Sequence, residues 1–147
     1  MTVPPLLPIT LQAGPCTLRP FAEKDVPSIF EASRDPLIPL ITTVPNPCDQ
    51  AAALAFIARQ HERLQTGQGW SLAIAEGASP ALGQIGLWPQ SHERASLGYW
   101  VLPSARGRGW RRWLWRPCRA LALLNSSGWN CMWSRGTIPI AVKSLIC

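Results

Sequence analysis

Residues 95–109 read ASLGYWVLPSARGRG, an alternating segment that passes through a proline into a loop of arginine and glycine. Ala95, Leu97, Tyr99 and Val101 alternate with Ser96, Gly98 and Trp100, the period of a half-buried strand. In the loop, Gly107 and Gly109 permit positive φ and a close ligand approach, while Arg106 and Arg108 supply charge. Successive N–H groups between a strand and a helix suit a phosphate or pyrophosphate. The same letters suit a flexible arginine/glycine segment that binds RNA, so the loop by itself leaves both readings open.

Upstream, the chain reads as an orderly α/β domain. CTLRPF (16–21) is a short strand, and Asp25 is placed to cap a helix from about Pro27 that buries Ile29 and Phe30. Residues 34–49, RDPLIPLITTVPNPCD, form a proline-broken connection. Asp49 opens a helix with Leu54, Ile57, His61 and Leu64 on one face, ended by Gly67 or Gly69. His61, on the flank of that helix, reads as structural. WSLAIA (70–75) and ALGQIGLW (81–88) are strands, EGASP (76–80) and PQSHE (89–93) are turns, and RASLGYWVL (94–102) completes a three-strand meander. No internal repeat is present.

A chain of 147 residues suits one domain, 1–147. No apolar run approaches the roughly 18 residues of a membrane span. The first 16 residues, apolar and proline-rich, lack the basic start of a signal peptide and read as an extended lead-in to the first strand. Cys16, Cys48, Cys118, Cys131 and Cys147 are odd in number and share no metal-ligand spacing. Free thiols, no metal and a cytoplasmic setting are expected. The net charge of +6 is unevenly distributed: residues 1–100 carry all eight acids and six bases, whereas residues 101–147 carry eight bases and no acid. Five of the eight tryptophans also follow Gly109.

LRPFAEKDVPSIF (18–30), ALGQIGLW (81–88) and ASLGYWVLPSARGRG, in that order, resemble the GNAT family of N-acetyltransferases, in particular its RimJ/RimL-like branch. The likeness covers residues 16–109 and leaves an atypical tail, 110–147. It implies an α/β (α+β) fold, with a mixed, strongly bent acetyltransferase-type sheet flanked by helices and an incomplete or non-native C-terminal part. The cofactor implied is acetyl-CoA, held by Val101 and Leu102 at the strand edge and by Arg106, Gly107, Arg108 and Gly109 around its pyrophosphate. The acceptor implied is a primary amine on a small molecule or peptide, approached without metal or membrane. Glu93 is the base candidate, against its plainer reading as a solvated turn carboxylate. The family pattern Arg/Gln-x-x-Gly-x-Gly/Ala meets Arg106 and Gly109, but its last position holds Arg111.

Beyond Gly109, WRRWLWRPCRALALL has bulky Trp110 and a helix-breaking Pro117 where a helix should pack. Joining the third base of each codon to the first two of the next resolves this. Trp129–Ser134 then reads Glu-Leu-(Tyr/His)-Val-(Glu/Val), and the following codons permit Pro-Trp-Asn-Asp-Pro-Asn-Ser-Arg. That matches the family's missing fifth strand and its asparagine/serine segment. Trp110 shifts to Ala or Glu and Trp113 to Ala or Val, as the missing helix requires. A frame change near Gly109 is therefore expected. The competing reading takes RGRGWRRWLWR as a basic, aromatic surface for RNA or anionic membrane. A third keeps the family and drops the activity, because a half-built cofactor site gives little affinity.

Overall fold

The alternating segments pair with their neighbours in chain order. The computed structural model describes residues 5–91, 94–110 and 112–114, with side chains excepted at 89–97. Its strands are β1 (Leu11–Ala13), β2 (Cys16–Arg19), β3 (Trp70–Ala75), β4 (Gly83–Ser91) and β5 (Arg94–Val101). Its helices are α1 (Val26–Arg34), α2 (Ile38–Ile41) and α3 (Gln50–Gln65). The five strands form one sheet in the order β1-β2-β3-β4-β5, with every neighbouring pair antiparallel. This is the helix-flanked sheet the sequence predicts. The expected loss of the family's further helix and fifth strand from the tail concerns residues that lie mostly outside the described ones. Part of the lead-in pairs as β1, and β4 continues through Pro89 into the expected turn. The register shifts between Pro89 and Ser91, an irregularity of the kind that accommodates a residue without an N–H.

α3 begins where Asp49 accepts the Ala52 amide at 2.7 Å. It ends at Gly67, whose φ of +69° lets the Gly67 and Gln68 amides return to the Leu64 and Arg63 carbonyls. Its buried face differs from the expected one. Ala53, Phe56, Ile57, Gln60 and Leu64 are buried, whereas Leu54 is 36 % exposed. His61 is exposed and donates from Nε2 to the Phe21 carbonyl at 2.7 Å. Apolar periodicity misplaces this face because a glutamine sits at its centre. Gln60 Oε1 accepts from Ser71 Oγ (2.7 Å), Arg63 Nη1 (2.9 Å) and Gln84 Nε2 (3.1 Å). Its amide donates to the Phe56 carbonyl at 2.9 Å. Gln84 Oε1 accepts from the Trp100 indole at 2.7 Å. With its hydrogen bonds made, the amide can be buried at little penalty.

The core continues through Leu18, Ile29, Phe56, Leu72 and Ile74, each at most 1 % exposed. Burial of each such side chain stabilises by about 2 kcal/mol. Phe30 is only partly buried.

Asp25 departs from its expected role. It occupies the N-cap position of α1, but its carboxylate makes no cap bond to that helix. Instead it is fully buried and accepts both Arg19 guanidinium nitrogens at 2.8 Å, together with the amides of Ala22 (2.9 Å) and Ala81 (2.8 Å). A guanidinium 14 % exposed needs a bidentate partner more than a helix end needs a cap. Burial pushes the Asp25 carboxyl up, but the Arg19 pair and the two amides outweigh burial and hold it below the ordinary 3.8. A lowered folded-state value means that the stabilisation is complete above about pH 4 and fades as pH falls through the depressed value. Asp25→Asn is therefore expected to lose about 3 kcal/mol at neutral pH. The difference from the unsubstituted chain should shrink at pH 2, as denaturant melts at both pH values would show.

Candidate active site

β5 hands the chain to the loop. Leu102 N–H donates to the Leu82 carbonyl at 2.8 Å, and Val101 lies opposite Gly83. Peptide groups alternate in direction along an antiparallel strand, so those of Val101 point to the outer edge of β5. Residues Pro103–Ala105 form one 3-10 turn, closed by Ala105 N–H on the Leu102 carbonyl at 2.9 Å. The chain then bends through Gly107 (φ +81°) and Gly109 (φ +72°). Among the described residues no acceptor meets the amides of Gly107, Arg108, Gly109 or Trp110. A Cβ at Gly107 would meet nothing within 4 Å. Successive unbonded donors at a glycine bend, with open space at Gly107, are the kind of backbone arrangement that can take an anion.

The two loop arginines do different things. Arg106 turns inward: Nη2 pairs with Asp35 Oδ2 at 2.8 Å, and Nε donates to the Val101 carbonyl at 3.2 Å. The Asp35 side chain is 3 % exposed, and its other oxygen accepts the Leu37 and Ile38 amides at 2.8 and 2.9 Å. Burial raises the Asp35 carboxyl, but those amides and Arg106 outweigh it and keep the value below the ordinary carboxylate range. Arg108 points outward, half exposed, 3.3 Å from Glu76 and 5.8 Å from the centre of the Trp110 ring. An exposed pair of that kind holds a guanidinium only weakly, so Arg108 can turn to an arriving anion. Glu31 Oε1 accepts the Ser104 amide at 3.0 Å.

Neither Asp35 nor Glu31 was singled out by sequence. Asp35 before Pro36 is a fair signal for a turn, but its partner is 71 positions away. Val101 and Leu102 are buried at the strand end, and Gly107–Gly109 form the bend as expected. Glu93 lies outside the described residues. Of the two aromatics, Trp100 is the core member, 2 % exposed, and Tyr99 is half-buried. Burial, with Glu76 nearby, pushes the Cys16 thiol up to about 11, against a smaller opposing effect of Arg108. Burial and Asp49 also raise Cys48. Neither is a thiolate nucleophile near neutrality. The described part of the tail is packed rather than displayed. Trp110 is 6 % exposed with its indole N–H on the Ala105 carbonyl at 2.6 Å, Leu114 is 2 % exposed, and the Trp113 ring occupies the space beside Gly14. Trp110, buried and hydrogen-bonded, is not a stacking platform for a nucleic acid.

Strand, glycine bend and flanking helices together define an α/β domain with a run of unbonded amides, among the described residues, at the end of its sheet. The chain belongs to the acetyltransferase (GNAT) domain family, which matches residues 16–114. Its fold is similar to that of an acetyltransferase from Agrobacterium tumefaciens str. C58, with 22 % identity over 78 % of this chain and 67 % of that one and a TM-score of 0.58. It is also similar to RimL, the ribosomal L7/L12 α-N-protein acetyltransferase, solved with coenzyme A, with 17 % identity over 80 % and 70 % of the two chains and a TM-score of 0.62. The microcin C7 self-immunity acetyltransferase MccE, solved with acetyl-CoA and AMP, shares 18 % identity over 77 % and 63 %, with a TM-score of 0.56. The chain thus spans about two thirds of the length of these structures. No curated protein matches it. Among the described residues, no three potential ligands cluster to hold a metal, and no helix is long and apolar enough to cross a membrane.

Two glycines separate strain from space. A Cβ at Gly98, like one at Gly107, would meet nothing within 4 Å, but only Gly107 has a positive φ. Gly107→Ala is expected to destabilise by about 1 kcal/mol, whereas Gly98→Ala should stabilise by about 0.5 kcal/mol, the usual penalty of glycine inside a strand. Equilibrium urea unfolding of the two variants checks the sign of each.

Proposed function

We propose that this domain is an acetyl-CoA-dependent N-acetyltransferase acting on a primary amine of a small molecule or a peptide N-terminus. The observation that carries the reading is the run of four free amides, 107–110, at the end of β5, within a chain of this family. The pyrophosphate would lie on those amides with Arg108 beside it, and Leu102 and the Val101 edge would orient the pantetheine and thioester. Acetyl-CoA supplies the acyl group. The amine lone pair attacks the thioester carbonyl, the carbon–sulfur bond breaks, and the amine proton leaves through a base or water relay. Glu93, the base candidate from the sequence, is the residue to test in that role. The two described cysteines stay protonated, which favours direct transfer over an acyl-cysteine intermediate.

The abrupt composition change supports a second part of the reading: within the domain proposed for 1–147, residues 110–147 are translated out of frame. The shifted frame supplies Glu-Leu-(Tyr/His)-Val and an asparagine/serine segment in the order the family resemblance requires. Reading the coding DNA tests this, and an alternative frame closed by early stops would overturn it. Calorimetry with acetyl-CoA on the chain as it stands and on the restored-frame chain tests the function. Saturable binding is expected for both, tighter in the restored chain, with turnover of amine acceptors there. No heat from either at millimolar acetyl-CoA would overturn the acetyltransferase reading.

A further inference from the structure

Arg106 carries a charge in a loop proposed to bind pyrophosphate, yet its guanidinium faces the protein. One nitrogen meets a carboxylate 3 % exposed, and another meets the carbonyl of the strand's last residue. The carboxylate is itself shared: Asp35 Oδ1 holds the first amides of α2 while Oδ2 holds Arg106. Glu31, four residues earlier on α1, takes the Ser104 amide from the same 3-10 turn. The C-terminal end of α1 therefore grips the segment between β5 and the glycine bend at two points, one of them a charge-assisted hydrogen bond with little water around it.

We propose that Asp35 is a positioning residue for the phosphate loop, acting through Arg106 to fix the direction of the amides 107–110, and that Arg106 is part of this brace rather than a phosphate ligand. The brace works before any ligand arrives. Among the described residues the amides 107–110 are unbonded and two of the glycines have positive φ, while the Trp110 indole ties the far end of the loop back to the Ala105 carbonyl, so the loop's direction depends on where residues 101–106 are held. With Asp35 present, the Arg106 charge is neutralised locally, and Arg108 remains the outward cation. The two roles for Arg106 predict opposite signs for one substitution. If Arg106 bound phosphate directly, removing its competing carboxylate would strengthen anion binding. If Arg106 is a brace, the same change weakens it.

The cofactor half of this inference rests on the acetyltransferase reading, and the brace half does not. Asp35→Asn keeps an oxygen for the Leu37 and Ile38 amides but turns an N–H toward Arg106. Amide hydrogen exchange on the full chain, without ligand, is expected to rise about tenfold or more at the hydrogen-bonded amides of Leu102, Ser104, Ala105 and Arg106 in Asp35→Asn. Exchange in α3 and β3 should stay unchanged. Arg106→Gln should give the same pattern, and the double variant should add little, because both remove one interaction. Arg106→Lys, which keeps the charge without the fork, should fall between and serves if Asp35→Asn does not fold. Unchanged exchange at those four amides, or additive effects of the two substitutions, would overturn the brace. Calorimetry with acetyl-CoA should then show affinity lowered about tenfold in both single variants, and tighter binding by Asp35→Asn would overturn it. Failure of both this chain and its restored-frame form to bind acetyl-CoA sinks the acetyltransferase reading, and the exchange comparison still decides the brace.

Discussion

Helix α1 is held at both ends by buried carboxylates, and the placement of the loop follows from that. At its N-terminus Asp25 ties β2, through Arg19, to the start of α1 and to the Ala81 amide before β4. At its C-terminus Asp35 ties α1 to α2 and to Arg106. A carboxylate at a helix C-terminus faces the negative end of the macrodipole, a placement that is unfavourable without compensation. Arg106 and the two α2 amides supply that compensation. Nine residues of helix therefore transmit the position of the sheet to the segment that leaves β5, and removing either carboxylate leaves a partly buried guanidinium without its anion.

The opposite requirement, that β5 itself be in register, is met by polar groups inside the core. Ser71 on β3, Gln84 on β4 and Trp100 on β5 point to the face of the sheet covered by α3, where Gln60 joins them. Slipping β5 by one residue would turn Trp100 away from Gln84 and strand a buried carbonyl and a buried indole N–H together. An all-apolar layer would tolerate such a slip more readily. The register also sets Val101 with its peptide groups outward, where the Arg106 Nε reaches its carbonyl. The polar layer on one face and the brace at the strand end thus act on the same residue from two directions.

Much of this was legible in the sequence, and the misses share a cause. The meander, the α3 boundaries and the bend at Gly107 and Gly109 follow from local rules: alternation, an aspartate cap, glycine where φ is positive. The role of Asp25, the buried face of α3 and the importance of Asp35 do not, because each depends on a polar partner distant in the chain. Asp25 looks like a cap until Arg19 and Ala81 converge on it. Gln60 looks like a surface residue until Ser71 and Gln84 surround it. Local pattern reports what a residue prefers on average, whereas a buried polar group is decided by whether a specific partner arrives. The candidate site was legible to the same extent: its glycines were visible, and the carboxylates bonded to the segment before them were not.

Packing of Trp110 and Leu114 bears on the composition break. Residues read out of frame would be expected to fit badly, yet both are buried and the Trp110 indole is hydrogen-bonded. The genetic code accounts for this within the frame-change reading. Tryptophan is TGG, so any codon formed from the preceding third base and its first two letters ends in TG and specifies leucine, methionine or valine. The Gly109–Trp110 junction therefore encodes an apolar residue in the alternative frame, followed by Ala or Glu where the family pattern calls for Gly or Ala. A position that buries an aliphatic side chain in one frame presents an aromatic one in the other. Hydrophobicity of roughly suitable size is enough to dock the first turn against the sheet. What a changed frame removes is the detail beyond it: small residues for close approach to a cofactor, acids to balance the arginines, and freedom from a proline at 117.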